Sequence, residues 1–379
     1  INFLTAGESH GKGLLGIIDG IPAGLNIDKD YLDFHLSRRQ KGFGRGGRMK
    51  IEKDSAEIYT GIRSGYTIGS PIGLIIKNLD WDNWKKIMEI SEDGINQKKI
   101  TLPRPGHADL AGIMKYGFDD IRNVIERSSA RETTMRVALG SICRKLLEKF
   151  NIHVASYVTQ IHNITDDIMD HKINVNKINN ESDKSPIRVL NRNIEDQMIE
   201  TIKKAQKNGD TVGGQFKILV SGCPYGLGNY STWDKKINAK LSEAICSINA
   251  IKGIFFGRDN SSNSFGSELH DEIEYSNEKF TRTNNNAGGI EGGMSNAQNI
   301  IINAVMKPLS TLTTPLKSVD IKTKEVKLAH KERTDSCAVP AAAIVAESMT
   351  CIVIADTILD KFGGDSIEEL SQHFKTAQF

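Results

Sequence analysis

ERSSARETTMRVALGSICRKLLEKFNIHVASYV, Glu126 to Val158, carries the clearest helix and a following strand, and its reading decides the fold class. From about Arg131 to Phe150, the residues Met135, Ala138, Leu139, Ile142, Leu146 and Phe150 recur at three- and four-residue steps. That is the period of a helix with one buried face. The serines and threonines ahead of it suit the exposed N–H groups of a helix start. IHVASYV, from Ile152, is short and β-branched, as a strand should be. Outward from there, LLGII (Leu14 to Ile18) and IGLIIK (Ile72 to Lys77) read as glycine-bounded strands. Asp28 is placed to cap a helix running to about Arg39. A helix ending near Gly209, a strand from Gln215 to Gly222, a helix carrying Ile237, Leu241, Ile245 and Ile248, and a strand from Gly253 follow. A glycine-rich turn at Gly288 is expected to open a helix to about Met306. Val339 to Leu359 reads as a buried helix, because Glu347, Ser348 and Asp356 interrupt it too often for a membrane span. Helices and strands are mixed rather than strictly alternating, so the class is α+β, one domain over residues 1–379. Two polar stretches stand apart: 163–192, expected as a surface insertion without chemistry, and 258–286, expected as a mobile loop near a site.

The composition excludes several classes. The 379 residues are 39% hydrophobic and 25% charged, with 49 Lys and Arg against 47 Asp and Glu, a net charge of +2. Nothing global attracts a nucleic acid or a membrane surface, so any affinity for anions must come from local clustering. Five scattered cysteines have no C-x-x-C pair and no metal-ligand spacing, which implies a reducing compartment and no metal site. INFLTAGESHGKG has no charged start followed by an apolar run, so the expectation is a soluble cytoplasmic protein without a signal peptide.

The local clusters are dense. RRQKGFGRGGRMK, Arg38 to Lys50, holds six basic residues, four glycines and no acid. Glycine admits backbone N–H groups close to an anion, and arginine grips carboxylate or phosphate with two parallel bonds. A solvated basic face and an RNA-contacting loop over 38–50 compete with this reading, although Phe43 alone offers a base a platform. Gly42, Gly44 and Gly47 match a dinucleotide fingerprint, but no strand precedes them, and GESHGKG is one residue short of a phosphate loop. GESHG sets His10 between glycines, and RPGHAD holds His107 in a proline-stiffened turn. Histidine is the side chain suited to proton transfer near neutral pH. Arg127 and Arg131 flank a helix start, a natural phosphate site. NNAGGIEGGMSN (Asn285 to Asn296), Lys307-Pro308 and the Arg333/Asp335 pair add glycine turns, cations and a carboxylate.

In this order, TAGESHG, RRQKGFGRGGRM, RPGHAD, ERSSARET, SINAIKG (Ser247 to Gly253), FGSELHDE (Phe265 to Glu272), NNAGGIEGGMSN, MKP and Arg333-Thr334-Asp335 closely resemble the chorismate synthase family, from Thr5 to about Asp335. The resemblance implies a β-α-β sandwich, helices packed between antiparallel sheets, assembled as a homotetramer. It implies the anti-1,4-elimination of phosphate from 5-enolpyruvylshikimate-3-phosphate to give chorismate, with reduced FMN required and no net redox change. NADPH is the reductant the family allows. By the same resemblance His10 protonates the leaving phosphate with Ser9 beside it, His107 protonates the flavin, and Asp335 helps flavin N5 accept the substrate proton. Flavin contacts fall on Arg127, Ser128, Ser129, Asn249, Ala250, Gly292, Lys307, Pro308, Leu309, Ser310, Thr311 and Arg333. Substrate anions fall to Ser9, Arg39, Arg45, Arg104 and Arg131, with Arg39 and Arg45 also associated with a nicotinamide phosphate. Where the family often reads Arg-His-Asp-Pro-Cys, this chain has Thr334 and Ser336 around Asp335.

Overall fold

Asp28 begins the first helix as its sequence requires: its carboxylate accepts the Tyr31 N–H at 2.7 Å, and α1 runs Lys29–Gln40. The computed structural model describes residues 1–91, 99–166, 174–259, 261–276 and 278–376. The remaining main helices before residue 250 are α2 (Asp109–Tyr116), α3 (Arg122–Ser128), α4 (Thr133–Glu148), α5 (Val175–Ser182), α6 (Glu195–Lys207) and α7 (Ile237–Cys246). A central helix, Val339–Phe362, follows late in the chain.

Two antiparallel sheets enclose the helices. The first orders the strands Asn2–Ala6, Gly13–Asp19, Ile72–Lys77 and Glu57–Thr60. The second orders Ile251–Phe256, Ile300–Met306, Gly214–Ser221 and His153–Ile161, with Ile164–Thr165 at its edge. α4 lies on the first sheet and against the central helix, which in turn lies on the second sheet. The α+β sandwich with helices between antiparallel sheets is therefore the fold, as expected. Leu14, Ile18, Leu74 and Ile76 turn inward from the first sheet to meet Met135, Leu139 and Ile142 of α4, all buried. Strand alternation leaves Leu4, Leu15 and Ile17 exposed on its other face. Gly140 sets the spacing of the two long helices: a Cβ there would lie 2.6 Å from the Ser348 backbone oxygen. The central helix is long and apolar enough to cross a membrane, but 89% of its most apolar window is buried inside the protein.

Glu347 stands in the middle of that helix, fully buried, and is met by Arg38 at 2.9 Å, Arg144 at 2.6 Å and Arg188 at 3.2 Å. Ser156 donates to it at 2.6 Å. Burial alone would raise this carboxyl, but the three guanidinium groups hold it well below the ordinary range.

The structure corrects three expectations. Residues 300–306 form a strand, not the second half of a helix. Ile300, Ile301, Ile302 and Val305 are β-branched, and the strand pairs on both sides, with 251–256 and with 214–221. The described part of 163–192, residues 163–166 and 174–192, is not merely a surface insertion. α5 packs on the strand His153–Ile161 with Val175 and Ile178 buried, and Ile187, Arg188 and Val189 are buried behind it. Arg188 is the reason such a polar segment is held inside, since it closes the ring of cations around Glu347. Residues 258–286 include a short helix, Gly266–Leu269, and a hairpin of Ile273–Ser276 with Lys279–Arg282, and none of the described ones lines the main cavity.

Candidate active site

Loops from both ends of the chain meet around a cavity of about 350 Å³. His10, His107 and Asp335 line it together, with Ser9, Arg39, Arg45, Arg104 and Arg131. Ser128, Ser129, Asn249, Ala250, Lys307, Leu309, Ser310, Thr311 and Arg333 complete its wall among the residues named from sequence. Arg127, Gly292 and Pro308 do not line it. Arg127 is spent on the backbone oxygens of Thr5 and Gly7, at 2.7 and 3.1 Å. Gly292 turns a hairpin between Ile290–Glu291 and Met294–Asn296 in a separate small sheet. The Pro308 backbone packs instead against Gly213.

His10 sits in a glycine turn docked on α3. The Ser9 N–H donates to Glu126 O at 2.9 Å, and the His10 N–H to Glu126 Oε2 at 2.8 Å. His10 Nδ1 lies 3.0 Å from Glu126 Oε1, and Trp84 stacks on the ring at a centroid distance of 3.8 Å. Ser9 Oγ is 3.0 Å from Ser129 Oγ and accepts from Arg48 Nη1 at 2.6 Å.

RPGHAD forms the opposite wall. Asp109 accepts the Arg104 N–H at 2.9 Å and its Nε at 2.8 Å, and lies 2.6 Å from His107 Nδ1. Burial would raise the Asp109 carboxyl, but His107 and Arg104 hold it far below the ordinary carboxylate range. Arg104 Nη1 continues to Thr311 Oγ1 at 2.8 Å, and Lys307 Nζ reaches Ser310 Oγ at 2.8 Å and Gly106 O at 3.2 Å. Asn249 donates to Ser128 O at 3.0 Å, and the Lys307 N–H to Ala250 O at 3.0 Å.

The arginine loop divides. Arg38 turns into the core to Glu347 and Asp183, whereas Arg39 turns to the cavity, bonded to Ala130 O at 2.8 Å and Thr133 Oγ1 at 3.0 Å. Both arginines are buried and Phe43 packs on the core, so neither these arginines nor that ring offers the contact an RNA would need. Asp335 accepts the Gly46 N–H at 2.6 Å and lies 3.3 Å from Arg45 Nε. Ser336, where the family resemblance leads one to expect proline, donates its N–H to Gly44 O at 2.7 Å, a bond proline cannot make. Arg333 donates to Asp80 Oδ2 at 2.5 Å.

The wall holds seven cations, Arg39, Arg45, Arg48, Arg104, Arg131, Lys307 and Arg333, against two acids, Glu332 and Asp335. Asp54 and Glu52 behind the wall meet Arg131. Burial first, then the charges of Arg45 and Arg131, push Arg39 down to about 9, with Asp54 only partly opposing them. Burial likewise lowers Arg48. Arg39 Nη1, Arg45 Nε, Arg48 Nε and Ser128 Oγ are buried without a hydrogen bond, although Arg39 Nη1 lies 3.7 Å from Asp54 Oδ2 and Arg45 Nε 3.3 Å from Asp335 Oδ2, within ion-pair distance. Each wall arginine has a carboxylate partner, but the buried donors of Arg39, Arg45 and Arg48 that still lack an acceptor, with Lys307 unpaired by any acid among the described residues, are what a phosphorylated cofactor and a polyanionic substrate would satisfy. The residues present fit both.

Sequence reasoning missed Arg48, Trp84, Glu126 and Asp109. Arg48 stood in the same quoted loop, and Asp109 inside RPGHAD. Glu126 reads as a helix residue in ERSSARET, and nothing local to Trp84 marks it.

A sequence model of the chorismate synthase family matches residues 1–359. The chain is 52% identical over 375 residues to the chorismate synthase of Alkaliphilus metalliredigens, covering 98% of both chains. It is 49% identical over 380 residues to that of Enterococcus faecalis, covering 99% of this chain and 98% of the other. A crystal structure of a chorismate synthase superposes with a TM-score of 0.79 at 34% identity, covering 99% of this chain and 96% of that one. With that fold, that match along nearly its whole length and this cavity, the chain belongs to the chorismate synthase family of carbon–oxygen lyases.

Proposed function

We propose that the chain catalyses the anti-1,4-elimination of phosphate from 5-enolpyruvylshikimate-3-phosphate, giving chorismate, with reduced FMN bound in the same cavity. The observation that carries this reading is the surplus of buried, under-bonded guanidinium groups around two histidines in one cavity. The substrate brings two carboxylates and a phosphate, and the cofactor another phosphate, whose oxygens would accept from the buried donors of Arg39, Arg45 and Arg48. The reduced flavin supplies, when bound, an electron-rich ring that takes part in the elimination without net change in its oxidation state.

This chain's residues do the rest. Arg39, Arg45, Arg48, Arg104 and Arg131 hold the substrate anions, while Lys307, Ser310, Thr311, Ser128, Ser129, Asn249, Ala250, Leu309 and Arg333 hold the cofactor. His10 delivers a proton from its ring to the departing phosphate, where charge develops. His107, held by Asp109 and Arg104, is the proton donor on the flavin side, and Asp335 is the carboxylate that assists removal of the C6 proton. Arg39 and Arg45 serve the substrate in this reading, and NADPH serves only as the source of reduced flavin.

The chain works as a cytoplasmic homotetramer in this proposal. The outer face of the first sheet, with Leu4 at 71% and Leu15 and Ile17 at 52% exposure, supports self-association. The mass in solution measured by light scattering tests it, and a monomer would refute it. For the activity, the enzyme is incubated anaerobically with photoreduced FMN and the enolpyruvyl ester, and phosphate release is followed. Release with reduced FMN and none with oxidised FMN is expected; no release with either would sink the reading. His107→Ala and His10→Ala should each lower turnover about 10²–10⁴-fold.

A further inference from the structure

His10 is held on two sides. Its Nδ1 lies 3.0 and 3.1 Å from the two carboxylate oxygens of Glu126, and its ring lies against Trp84 with only 20° between the planes. Both holders are themselves held. Arg122 bonds Glu126 Oε1 at 3.2 Å and places its guanidinium 5.0 Å from the Trp84 ring centre. Glu332 bonds Arg122 at 3.2 Å from the cavity side and is bonded in turn by His330 at 3.0 Å. The charged groups around the imidazole are thus Glu126 and Arg122 from α3, Glu332 from the 330–335 segment, and Arg48 reaching it through Ser9.

A carboxylate only accepts hydrogen bonds. Glu126 is kept in that form: burial would raise it, but the bonds from His10 and the charge of Arg122 hold it below its ordinary value. The ring nitrogen it faces must therefore carry the hydrogen, and Nε2 is the nitrogen left for a ligand. Stacking removes the remaining freedom, rotation of the ring about its bond to the chain.

We infer that Glu126 and Trp84 are positioning residues for His10: Glu126 keeps a hydrogen on Nδ1, and Trp84 fixes the ring plane, so that Nε2 is presented to the substrate's leaving group. The inference rests on reading His10 as the proton donor. Without Glu126 the ring would be free to carry its hydrogen on either nitrogen, or to turn, and half-correct rings deliver nothing. Glutamine is the sharp replacement, because it keeps the shape and can still accept the His10 backbone N–H. Its amide nitrogen, however, can donate to a bare Nδ1, which the carboxylate never does.

The experiment uses full-length enzyme labelled with ¹⁵N-histidine, with His10→Ala to assign the His10 resonances and steady-state turnover measured alongside. Wild-type His10 is expected to carry hydrogen on Nδ1 in both its forms, with Nε2 gaining its transferable hydrogen only when the ring becomes the imidazolium that donates. Glu126→Gln is expected to shift that pattern toward a mixture and to lower kcat about 10²-fold or more, as a wrong tautomer does in other imidazole catalysts, with KM changed less than about threefold. Trp84→Phe should retain both signatures, and Trp84→Leu should broaden the His10 signal and lower kcat about tenfold. Wild-type ¹⁵N shifts together with kcat within about twofold in Glu126→Gln would overturn the inference. If Glu126→Gln does not fold, the same two readings in Trp84→Leu decide it. Full turnover in His10→Ala would instead remove His10 as the donor, while the nitrogen spectra would still show whether Glu126 sets the ring.

Discussion

Asp335 accepts the backbone N–H of Gly46 at 2.6 Å across 289 residues of sequence. That bond ties the carboxylate just before the central helix to the arginine loop near the start of the chain. Both partners are needed in place: the carboxylate must face the cavity, and the loop must aim Arg45 and Arg48 into it.

Gly46→Ala tests the tie. Its φ of −76° suits any residue, so only space is at stake. A Cβ would lie 2.6 Å from Thr334 O and 3.3 Å from Asp335 Oδ1, and backbone cannot give way cheaply. Turnover is expected to fall at least tenfold, with a loss of about 1–3 kcal/mol in unfolding free energy from the overpacking. Steady-state kinetics and urea unfolding check the two effects.

Asp109→Asn removes the negative member of the buried Arg104–His107–Asp109 group. Breaking such a group is expected to cost about 3–5 kcal/mol at neutral pH. Because Asp109 is depressed in the folded protein, its contribution is present above the unfolded value near 4 and is lost as the pH falls below it. Urea midpoints of wild type and variant should therefore differ by a constant amount above about pH 5, and the difference should only begin to narrow as the pH falls below about 4.

Glu347→Gln leaves Arg38, Arg144 and Arg188 buried around a neutral amide. A loss of about 3–5 kcal/mol is expected, again shrinking in acid, since Glu347 is also held below its ordinary value. The cluster does not line the cavity, so flavin affinity of the folded variant should stay within about twofold of wild type. A larger change would show that the core and the cavity are coupled.

Lys307→Met should weaken flavin binding about tenfold or more, the worth of one charge-assisted hydrogen bond. Lys307 is lowered by burial and by Lys252, so its charge is poorly compensated within the chain. Titration of flavin fluorescence checks this. The gap between wild type and variant should narrow in high salt if charge is the cause.

Much of this was legible in the residues. The helix of Met135, Leu139, Ile142 and Leu146 follows from its period, and the strand at Ile72 from its β-branched residues and glycine boundaries. The glycine-, arginine- and histidine-rich motifs pointed to most of the cavity wall. What was hidden is instructive. Ile300 to Met306 lies at the centre of a sheet, where both faces are buried and no alternation remains to be read. Arg38 and Arg39 are adjacent letters, yet one serves the core and the other the cavity, because successive residues on a helix point about 100° apart. Arg188 sits in a polar stretch, and its partner Glu347 lies 159 residues away in an apolar helix. Trp84 and Glu126 touch His10 only through the tertiary fold.

The cavity wall drawn from Ser9 at one end and Arg333 to Asp335 at the other has a consequence for biosynthesis. On the ribosome, the pocket stays open on one side until the chain has emerged past Asp335, and the helix that holds the two sheets together emerges later still. The full set of wall contacts is then met only by a chain that has emerged past Asp335. A nascent chain stalled short of Arg333 is expected to leave flavin fluorescence untouched.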